Sequence, residues 1–369
     1  MRVLFIGPLP EPTTGQSLAC QVFLEALRRE YDVDVINISK QSFKSNQKSA
    51  GRIGEVFRFA WQVWKKRRNC DAVYFTISQS VAGNLKDLLI YLVSFPRLSK
   101  MIIHLHGGPG LRDLMSDRHP VLRLLNKFFL RRIAAVVVLG RRHVSIFSAF
   151  VDPERIHVVP NFAEDGLFLD PDCVRQKFSR TNPFRFLFLS NLNTGKGHIE
   201  LIEAVRSLHP EIRAMLMVDF AGGFESDADR RAFSEATRDI PEIHYHGIVQ
   251  GIAKNQLFAA AHVFCLPTYY AYEGQPISIL EAYASGCAVM TTDHSGIFDV
   301  FTPNVNGYVV EKQSAPSIAA AIDRAVNNPG ESLACAMNNL EQANKFYRVK
   351  VYNDGLMNVV NSVIRPSGR

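Results

Sequence analysis

Two carboxylates, Glu273 and Glu281, stand eight positions apart in the stretch YEGQPISILEA. Pro276 has the fixed backbone angle that suits the start of a helix, and Gly286 stands where a helix would end. The pattern therefore predicts a helix that begins near Pro276 and ends just before Gly286. Glu273 would precede this helix, and Glu281 would lie on its second turn.

A helix N-terminus bracketed by two carboxylates suits a ligand that carries a phosphate with hydroxyl groups on either side. The first backbone N–H groups of a helix, here those of Ile277 and Ser278, attract phosphate. Carboxylates accept hydrogen bonds from hydroxyl groups. A nucleotide-sugar has this combination of groups. From this stretch alone, a buried helix with a solvated acidic cap explains the pattern equally well.

Other polar residues follow predicted strands in glycine-containing loops. Lys196, in SNLNTGKGH, opens a predicted helix, so its ammonium could face a diphosphate. Gly15, in the matching loop of the first half, would allow close backbone approach to a ligand, although such a glycine is often only a turn residue. His106 ends the strand MIIHLHGG and is placed for a substrate, whereas His104, on the same strand face, is predicted to be structural.

No metal site is predicted from the residues. His104 and His106 have the spacing of a metal-binding pair, but no third histidine, cysteine or nearby carboxylate completes a site. Three D-x-D patterns are interpreted as surface segments: Asp32–Asp34, Asp170–Asp172 and Asp227–Asp229. The sequence also lacks a G-x-S-x-G elbow, a P-loop and a G-x-G-x-x-G fingerprint, which argues against hydrolases, kinases and dehydrogenases.

Length and composition predict a cytoplasmic protein of two domains. The chain has 369 residues, which is longer than a single domain usually is. Of these residues, 47% are hydrophobic, as in a globular protein. No apolar run reaches the roughly 18–20 residues of a transmembrane helix, and the first residues lack a signal-peptide pattern. The six cysteines are scattered without a C-x-x-C pair, which favours reduced thiols over a zinc site.

The net charge of +7 is unevenly distributed. The segments RIGEVFRFAWQVWKKRRN (52–69) and VLRLLNKFFLRRI (121–133) interleave basic with aromatic and aliphatic residues at helical spacing. Such helices can rest on an anionic membrane. Alternatively, Phe57, Trp61 and Trp64 could pack into a domain core beneath a solvated basic face. No nucleic-acid-binding motif accompanies the charge, so nucleic acid is not a predicted partner.

The chain alternates apolar strand patterns with amphipathic helical patterns throughout. This alternation predicts parallel sheets with crossover helices, that is, an α/β fold. A second series of strands begins after the polar stretch CVRQKFSRTNP (173–183) and opens, like the first, with a strand, a glycine-bearing loop and a helix. We therefore predict Rossmann-like domains over residues 1–170 and 180–349, with ligand bound at the carboxyl ends of the strands.

Taken together, these features resemble a family-4 retaining glycosyltransferase with the GT-B fold, along nearly the whole chain. The most specific part is EGQPISILE, which matches the family's signature of Glu, seven residues and Glu. The stretches EAYASGCAVMTTDHSG and NGYVV are similar to further family segments. The resemblance implies two facing Rossmann-like domains with an interdomain cleft, an acceptor side in the first and a donor side in the second. It also implies that a C-terminal helix, 350–369, completes the first domain.

The resemblance assigns roles to the residues of the two loops and the helix. Glu281 would hydrogen-bond the ribose hydroxyls, Glu273 the donor sugar hydroxyls, and Lys196 the diphosphate. His106 would approach the donor sugar, so that His106 and Glu273 are the implied catalytic residues. Similarity in HGIVQGIAKNQLF places Val249 near the base.

The same stretch places Lys254 near the nucleotide. The chain also departs from the family pattern at three points, one of which is Asp299, where glutamate is common. Asn191 stands where many relatives carry arginine, so one cation expected near the diphosphate is missing. Ser295 stands where the family commonly has glycine.

The implied reaction is transfer of a sugar from a nucleotide-sugar to a saccharide or lipid-linked saccharide, with retention of configuration and without metal or other cofactor. Such enzymes are thought to react by front-face attack, with a leaving-phosphate oxygen taking the acceptor proton. The basic aromatic helices suggest a lipid-linked acceptor at the inner membrane face, as in cell-surface polysaccharide biosynthesis. A nucleotide-sugar epimerase of the same fold and a non-catalytic sugar- or membrane-binding module are the alternatives.

Overall fold

The computed structural model describes residues 1–11, 13–39 and 49–365, except for the side chains of residues 49–53. The chain divides into two compact units, one formed by Met1–Asn161 with Lys350–Arg369 and the other by Phe162–Val349. Each unit is built on its own six-stranded sheet.

The first unit contains a parallel sheet in the order β2-β1-β3-β4-β5-β6. Its strands are β1 Arg2–Gly7, β2 Asp32–Asn37, β3 Ala72–Thr76, β4 Met101–Leu105, β5 Ala135–Val138 and β6 Ile156–Val158. Its helices are α1 Gly15–Glu30, α2 Ser49–Lys66, α3 Val81–Val93, α4 Pro109–Leu114, α5 Pro120–Leu130 and α6 Arg141–Phe147. The strands β3, β4 and β5 are buried along their whole length, as expected for a parallel sheet covered by helices on both faces.

The second unit contains a parallel sheet in the order β12-β11-β10-β7-β8-β9. Its strands are β7 Phe184–Leu189, β8 Leu216–Ala221, β9 Ile243–Tyr245, β10 Val263–Leu266, β11 Ala288–Thr291 and β12 Gly307–Val309. Its helices are α7 Pro171–Phe178, α8 His198–Ser207, α9 Pro210–Arg213, α10 Asp227–Thr237, α11 Gly251–Ala260, α12 Ile277–Ala284, α13 Ala315–Asn327 and α14 Pro329–Phe346.

The strand order of the second unit determines where a ligand can bind. From β7 the chain first builds outward through β8 and β9, and then returns to add β10, β11 and β12 on the other side of β7. The winding therefore reverses between β7 and β10. In open parallel sheets, ligands bind at the carboxyl ends of the strands that flank such a reversal. The loops that leave these two strands carry Lys196 and Glu273.

Every strand pattern predicted from the sequence forms a strand in this structure, and all pairings are parallel. The division between the units differs from the predicted domain limits, because the second unit already begins at Phe162. Its first residues join the second core: Ala163 N–H donates to the carbonyl of Tyr347 over 2.8 Å, and Leu167 is buried against the second sheet.

The last helix, α15 Val349–Ile364, packs almost entirely within the first unit. The hydroxyl of Tyr352 donates to the carbonyl of Ala19 on α1 over 3.4 Å, and Tyr31 donates to the amide oxygen of Asn361. Residues 366–369 of the predicted C-terminal segment lie outside the described residues.

The aromatic residues of α2 divide between core and surface. Phe59 is buried in the first core, whereas Phe57, Trp61 and Trp64 are 62%, 58% and 47% exposed. The hypothesis that these three residues pack in the core is therefore wrong, because they lie on the outward face of the helix. Among the described residues, no helix combines the length and apolar character required to cross a bilayer.

Candidate donor-binding site

The predicted helix around the two carboxylates is α12. It spans Ile277–Ala284, and Pro276 occupies the N-cap position just before its first turn. Gly286 ends the helix with a φ of +57°, a conformation that favours glycine. A Cβ atom on Gly286 would also stand 2.3 Å from a methyl group of Val174. The helix therefore ends where the sequence pattern predicts.

Glu273 and Lys196 form a close ion pair beside the start of α12. Lys196 Nζ lies 2.6 Å from Glu273 Oε2, and the two side chains are only 13% and 10% exposed. The hydroxyl of Thr268 lies 3.2 Å from the same carboxylate oxygen. The ring of Tyr270 stacks beneath the ammonium, with its centroid 4.8 Å from Nζ. Lys196 is thus held by a carboxylate and an aromatic face that both follow β10.

Two glycines allow the Lys196 loop to approach the β10 loop this closely. Gly195 and Gly197 have φ values of +91° and +85°. A Cβ atom on Gly197 would lie 2.4 Å from the carbonyl oxygen of Pro267, so a larger residue would push the loops apart. The carbonyl of Gly195 accepts the N–H of Tyr269 over 2.7 Å. Backbone contact across the reversal in strand order therefore positions Lys196.

Glu281 belongs to a second buried cluster. Lys254 Nζ, on α11, lies 2.8 Å from Glu281 Oε1 and 2.9 Å from Glu164 Oε2. Burial alone would lower the pKa of Lys254, but the two carboxylates outweigh it and raise that pKa. Burial raises the pKa of Glu281, the Lys254 ammonium opposes this change, and the neighbouring Glu164 charge adds to it. One ammonium is therefore shared by two carboxylates, of which Glu281 is the more deeply buried.

A short loop after β11 closes against Glu273. The Ser295 hydroxyl donates to the carbonyl of Glu273 over 2.7 Å, and Gly296 N–H donates to the carbonyl of Gly274 over 3.1 Å. Ser295 has a φ of +50°, a conformation that costs a non-glycine residue about 1 kcal/mol. The hydrogen bond from the serine hydroxyl to the Glu273 carbonyl offsets this cost.

The remaining predicted donor-binding residues of the second unit lie in a loop and at the start of a helix. Val249 is partly buried between β9 and α11, and Ile277 and Ser278 form the first turn of α12. Asn191 is exposed directly after β7. The loop that carries Lys196 therefore presents an uncharged amide side chain at this position.

His106 and Gly15 lie in the first unit. His106 follows β4, and its ring stacks on that of His104 with centroids 3.9 Å apart. Burial lowers the pKa of His106 to about 3, and its Nε2 atom is enclosed without a hydrogen-bond partner among the described residues. His104 is fully buried and its Nδ1 lies 2.5 Å from the hydroxyl of Tyr74. His106 is therefore a neutral imidazole with a free polar atom, and His104 is part of the core.

Gly15 is the exposed first residue of α1. Thr14 precedes it and forms a reciprocal capping box with Ser17, since each side chain bonds the other's backbone N–H. Gly15 therefore stands at a helix N-terminus that faces the carboxyl end of β1.

The D-x-D patterns lie in ordinary structural surroundings. Asp32 and Asp34 lie on β2, where Asp32 is paired with Arg2 and Asp34 with Lys66. The other two patterns stand at the starts of α7 and α10. In the part of the chain that the structure describes, histidine, cysteine and acidic residues nowhere form a group of three that could hold a metal ion.

Sequence reasoning missed three residues of the site: Glu164, Thr268 and Tyr270. Thr268 and Tyr270 directly follow the buried strand VFCL, and a polar residue at the carboxyl end of a parallel strand is a usable signal. Glu164 gave no such signal, because its contact with Lys254 joins residues 90 positions apart.

Comparison with known proteins gives a family match for most of the second unit. Residues 172–342 match the family model of glycosyl transferases group 1. An uncharacterized glycosyltransferase of Methanocaldococcus jannaschii is 27% identical over 144 residues, which are 39% of this chain. The match spans 36% of that protein's own length.

Two solved structures are similar along the whole chain. Sucrose-phosphate synthase from Thermosynechococcus elongatus has a TM-score of 0.76 at 16% identity and covers 100% of both chains. HepE of Anabaena, in complex with UDP-glucose, has a TM-score of 0.71 at 17% identity and covers 98% of this chain and 100% of that chain. At these identities the likeness establishes the fold alone. Residues 172–342 therefore match a glycosyltransferase group 1 domain, on a chain that has the α/β GT-B fold predicted from its sequence.

Proposed function

We propose that this chain is a retaining glycosyltransferase of the family-4 type that transfers a sugar from a nucleotide-sugar to a saccharide or lipid-linked saccharide. The observation that carries the proposal is the pair of lysine–glutamate contacts around α12. Lys196 contacts Glu273 before the helix, and Lys254 contacts Glu281 on its second turn. The spacing fits a diphosphate at the helix N-terminus, with sugar hydroxyls on one side and ribose hydroxyls on the other.

Each of these lysines is neutralised by a carboxylate, which suggests how the donor enters. A diphosphate near Lys196 would compete with Glu273 for the ammonium, because it presents two anionic phosphate groups where Glu273 presents one carboxylate. Glu273 would then be released to accept hydrogen bonds from the hydroxyls of the donor sugar. Lys196 and the start of α12 together would stabilise the negative charge that develops on the leaving diphosphate.

The proposed chemical step needs no protein nucleophile. The acceptor hydroxyl oxygen attacks the anomeric carbon from the face on which the diphosphate departs, so the bond from that carbon to the phosphate oxygen breaks as the new one forms. The acceptor proton passes to an oxygen of the departing phosphate. His106, a neutral imidazole with an unpartnered Nε2, is proposed to bond a hydroxyl of the donor sugar, and Val249 to line the base.

The acceptor is proposed to be lipid-linked, with the protein bound peripherally at the inner membrane face during assembly of a cell-surface polysaccharide. The support is the exposure of Trp61 and Trp64 beside basic residues on α2. An exposed aromatic residue flanked by cations suits the headgroup region of an anionic membrane.

Product analysis tests the proposed function. Thermal-shift screening with common nucleotide-sugars would first identify a donor that stabilises the protein, since a ligand that binds only the folded state raises Tm. The donor would then be incubated with and without saccharide acceptors. We expect a glycoside of the same anomeric configuration as the donor. Conversion of the donor to an epimer without acceptor would instead identify an epimerase, and binding without any product would identify a non-catalytic module.

Activity is expected to survive dialysis against EDTA. Lys196 and the helix N-terminus supply the positive charge that a divalent cation supplies in metal-dependent transferases. The measurement is the initial rate before dialysis, after dialysis, and after addition of magnesium or manganese. A rate that disappears with the chelator and returns with either metal would contradict the prediction.

Replacing Glu164 with Gln is expected to move the acid limit of nucleotide binding to lower pH. Binding should weaken as the pH falls through the pKa of Glu281, because a protonated carboxyl group has fewer acceptor sites for the ribose hydroxyls. That pKa is raised by burial and further by the Glu164 charge. Removing the charge lowers it, so binding persists to lower pH.

Titration calorimetry with the diphosphate product, from about pH 4 to pH 8, measures this shift. The Glu164→Asp variant keeps the charge and serves as the matched control, with an acid limit near that of the unmodified protein. A uniform loss of affinity at every pH in Glu164→Gln would mean that Glu164 is merely structural.

A further inference from the structure

Trp61 and Trp64, exposed aromatic residues near the C-terminal end of α2, are each covered on one ring face by a basic side chain from the end of that helix or the residues just after it. Lys65 Nζ stands 5.4 Å from the ring centroid of Trp61, and the guanidinium groups of Arg67 and Arg68 stand 5.4 and 5.6 Å from that of Trp64. Trp61 and Trp64 are about half exposed. Each aromatic ring therefore presents an apolar body and a cation together, which is the combination found at membrane–water interfaces.

This surface continues from α2 onto two further elements of the first unit. Arg97, in the short 3₁₀ helix Phe95–Lys100, donates to the carbonyl of Arg68 over 2.7 Å. Phe95 in the same element stacks on Phe128 of α5 with ring centroids 6.0 Å apart. The contacts join the end of α2 to α5, and we call the combined surface the basic–aromatic face.

The α5 part of the face is apolar and outward-pointing. Val121 and Leu124 are 70% and 67% exposed, and Phe128 is 45% exposed. Their spacing of three and four residues places them on one side of the helix. The guanidinium of Arg132 stands 4.1 Å from the ring centroid of Phe128. The same pairing of a ring with a cation thus recurs at both ends of the face.

The charge of this face is predominantly positive, and the acidic residues at its margins, Glu55 and Asp117, are paired with Arg58 and Arg123. No aspartate or glutamate occurs within residues 56–70, 88–112 or 118–151, the segments that supply the face. A second copy of the chain bound through the same face would bring these cations against each other, because a two-fold interface pairs identical patches. Nucleic acid would satisfy the cations but leave Val121 and Leu124 without an apolar partner. An anionic lipid surface satisfies both.

We propose that the basic–aromatic face docks on an anionic bilayer, with Trp61, Trp64 and Phe128 at the headgroup level and the cations against lipid phosphates. The face uses α5 and the Phe95–Lys100 element as well as α2. The inference rests on and extends the peripheral membrane binding put forward in the proposed function. Its test needs neither donor nor acceptor, so its failure is distinguishable from a failure of the transferase reaction. It would bring a lipid-linked acceptor to the protein without a membrane-spanning segment.

Vesicle co-sedimentation tests the proposal. The protein is mixed with vesicles of phosphatidylcholine alone or of phosphatidylcholine with phosphatidylglycerol, at low and at high salt. We expect binding to the anionic vesicles only, and loss of that binding at high salt. The triple variant Lys65→Gln, Arg67→Gln, Arg68→Gln should bind far more weakly, because the affinity for anionic vesicles should fall about fivefold for each cation removed. Lys66 is left unchanged because its ammonium is paired with Asp34 at 3.2 Å.

Two further variants make the test specific. Leu124→Ser with Phe128→Ser, which alters α5 alone, should also reduce binding if the face is composite. The charge-matched control Arg230→Gln, Arg231→Gln, Arg238→Gln, on exposed positions of the second unit, should bind like the unmodified protein. Unchanged Tm would confirm that each variant is folded.

Several results would overturn the proposal. The proposal fails if the protein does not bind anionic vesicles, or if it binds both vesicle types equally. It also fails if the charge-matched control loses as much vesicle binding as the triple variant of the face. A dimer or a complex with nucleic acid that the same face variants abolish, in the absence of vesicle binding, would assign the face to that partner instead.

Discussion

Replacing Lys196 with Met is expected to lower kcat by about two to three orders of magnitude. Removing one preorganised electrostatic contact to a developing negative charge typically has this effect. Lys196 is the cation that the structure places beside the start of α12, and Asn191 adds no further charge to its loop. The measurement is kcat at saturating donor, together with the affinity for the diphosphate product, which should also fall.

The Lys196→Met variant also leaves Glu273 without its ammonium partner. Because the Glu273 side chain is only 10% exposed, the variant is expected to be less stable by about 1–3 kcal/mol. The double variant Lys196→Met, Glu273→Gln removes the unpaired charge and should recover most of that stability but none of the activity. Recovery of activity together with stability would mean that Lys196 acts only through folding.

The Glu281→Gln variant is expected to bind nucleotide about 10- to 100-fold more weakly while kcat at saturating donor changes little. A hydrogen bond to a charged group contributes about 1.5–3 kcal/mol, and tenfold in affinity corresponds to about 1.4 kcal/mol. Glu281 is proposed to bond the ribose, which is remote from the reacting carbon. Titration calorimetry with the nucleoside diphosphate and steady-state kinetics measure the two quantities.

Glu273→Gln is the matched comparison for this prediction and should have the opposite profile, with a large loss of kcat and a small change in nucleotide affinity. Asp172→Asn, in which the replaced side chain is 91% exposed, controls for a general effect of removing a carboxylate. If the two variants had the same profile, or if neither differed from the control, the separate roles of the two carboxylates would be refuted.

Local physical chemistry was enough to predict the elements of this protein. The central strands, such as β3, β5 and β10, are continuous apolar runs, and a parallel sheet covered on both faces requires such runs. Likewise Pro276 and Gly286 mark the two ends of α12. The proline ring fixes φ at the start of the helix, and glycine permits the positive φ at its end. These properties depend on neighbouring residues in the chain, so they can be read without the tertiary structure.

The pairing of side chains could not be predicted in the same way. Glu273 faces Lys196 across the reversal between β7 and β10, and Lys254 is shared by Glu281 and Glu164. Glu164 lies 90 positions from Lys254, and the packing of its segment against α11, where Asn255 donates to the carbonyl of Gly166, brings them together.

The exposure of Trp61 and Trp64 likewise depended on the tertiary structure. The amphipathic pattern of α2 is compatible with an aromatic core or with an aromatic surface, since periodicity identifies the faces of a helix but not which face the sheet covers. The sequence therefore determined the elements and the polar residues at the strand ends. The tertiary structure decided which of those residues meet and which side of α2 is exposed, because both depend on how distant segments pack against one sheet.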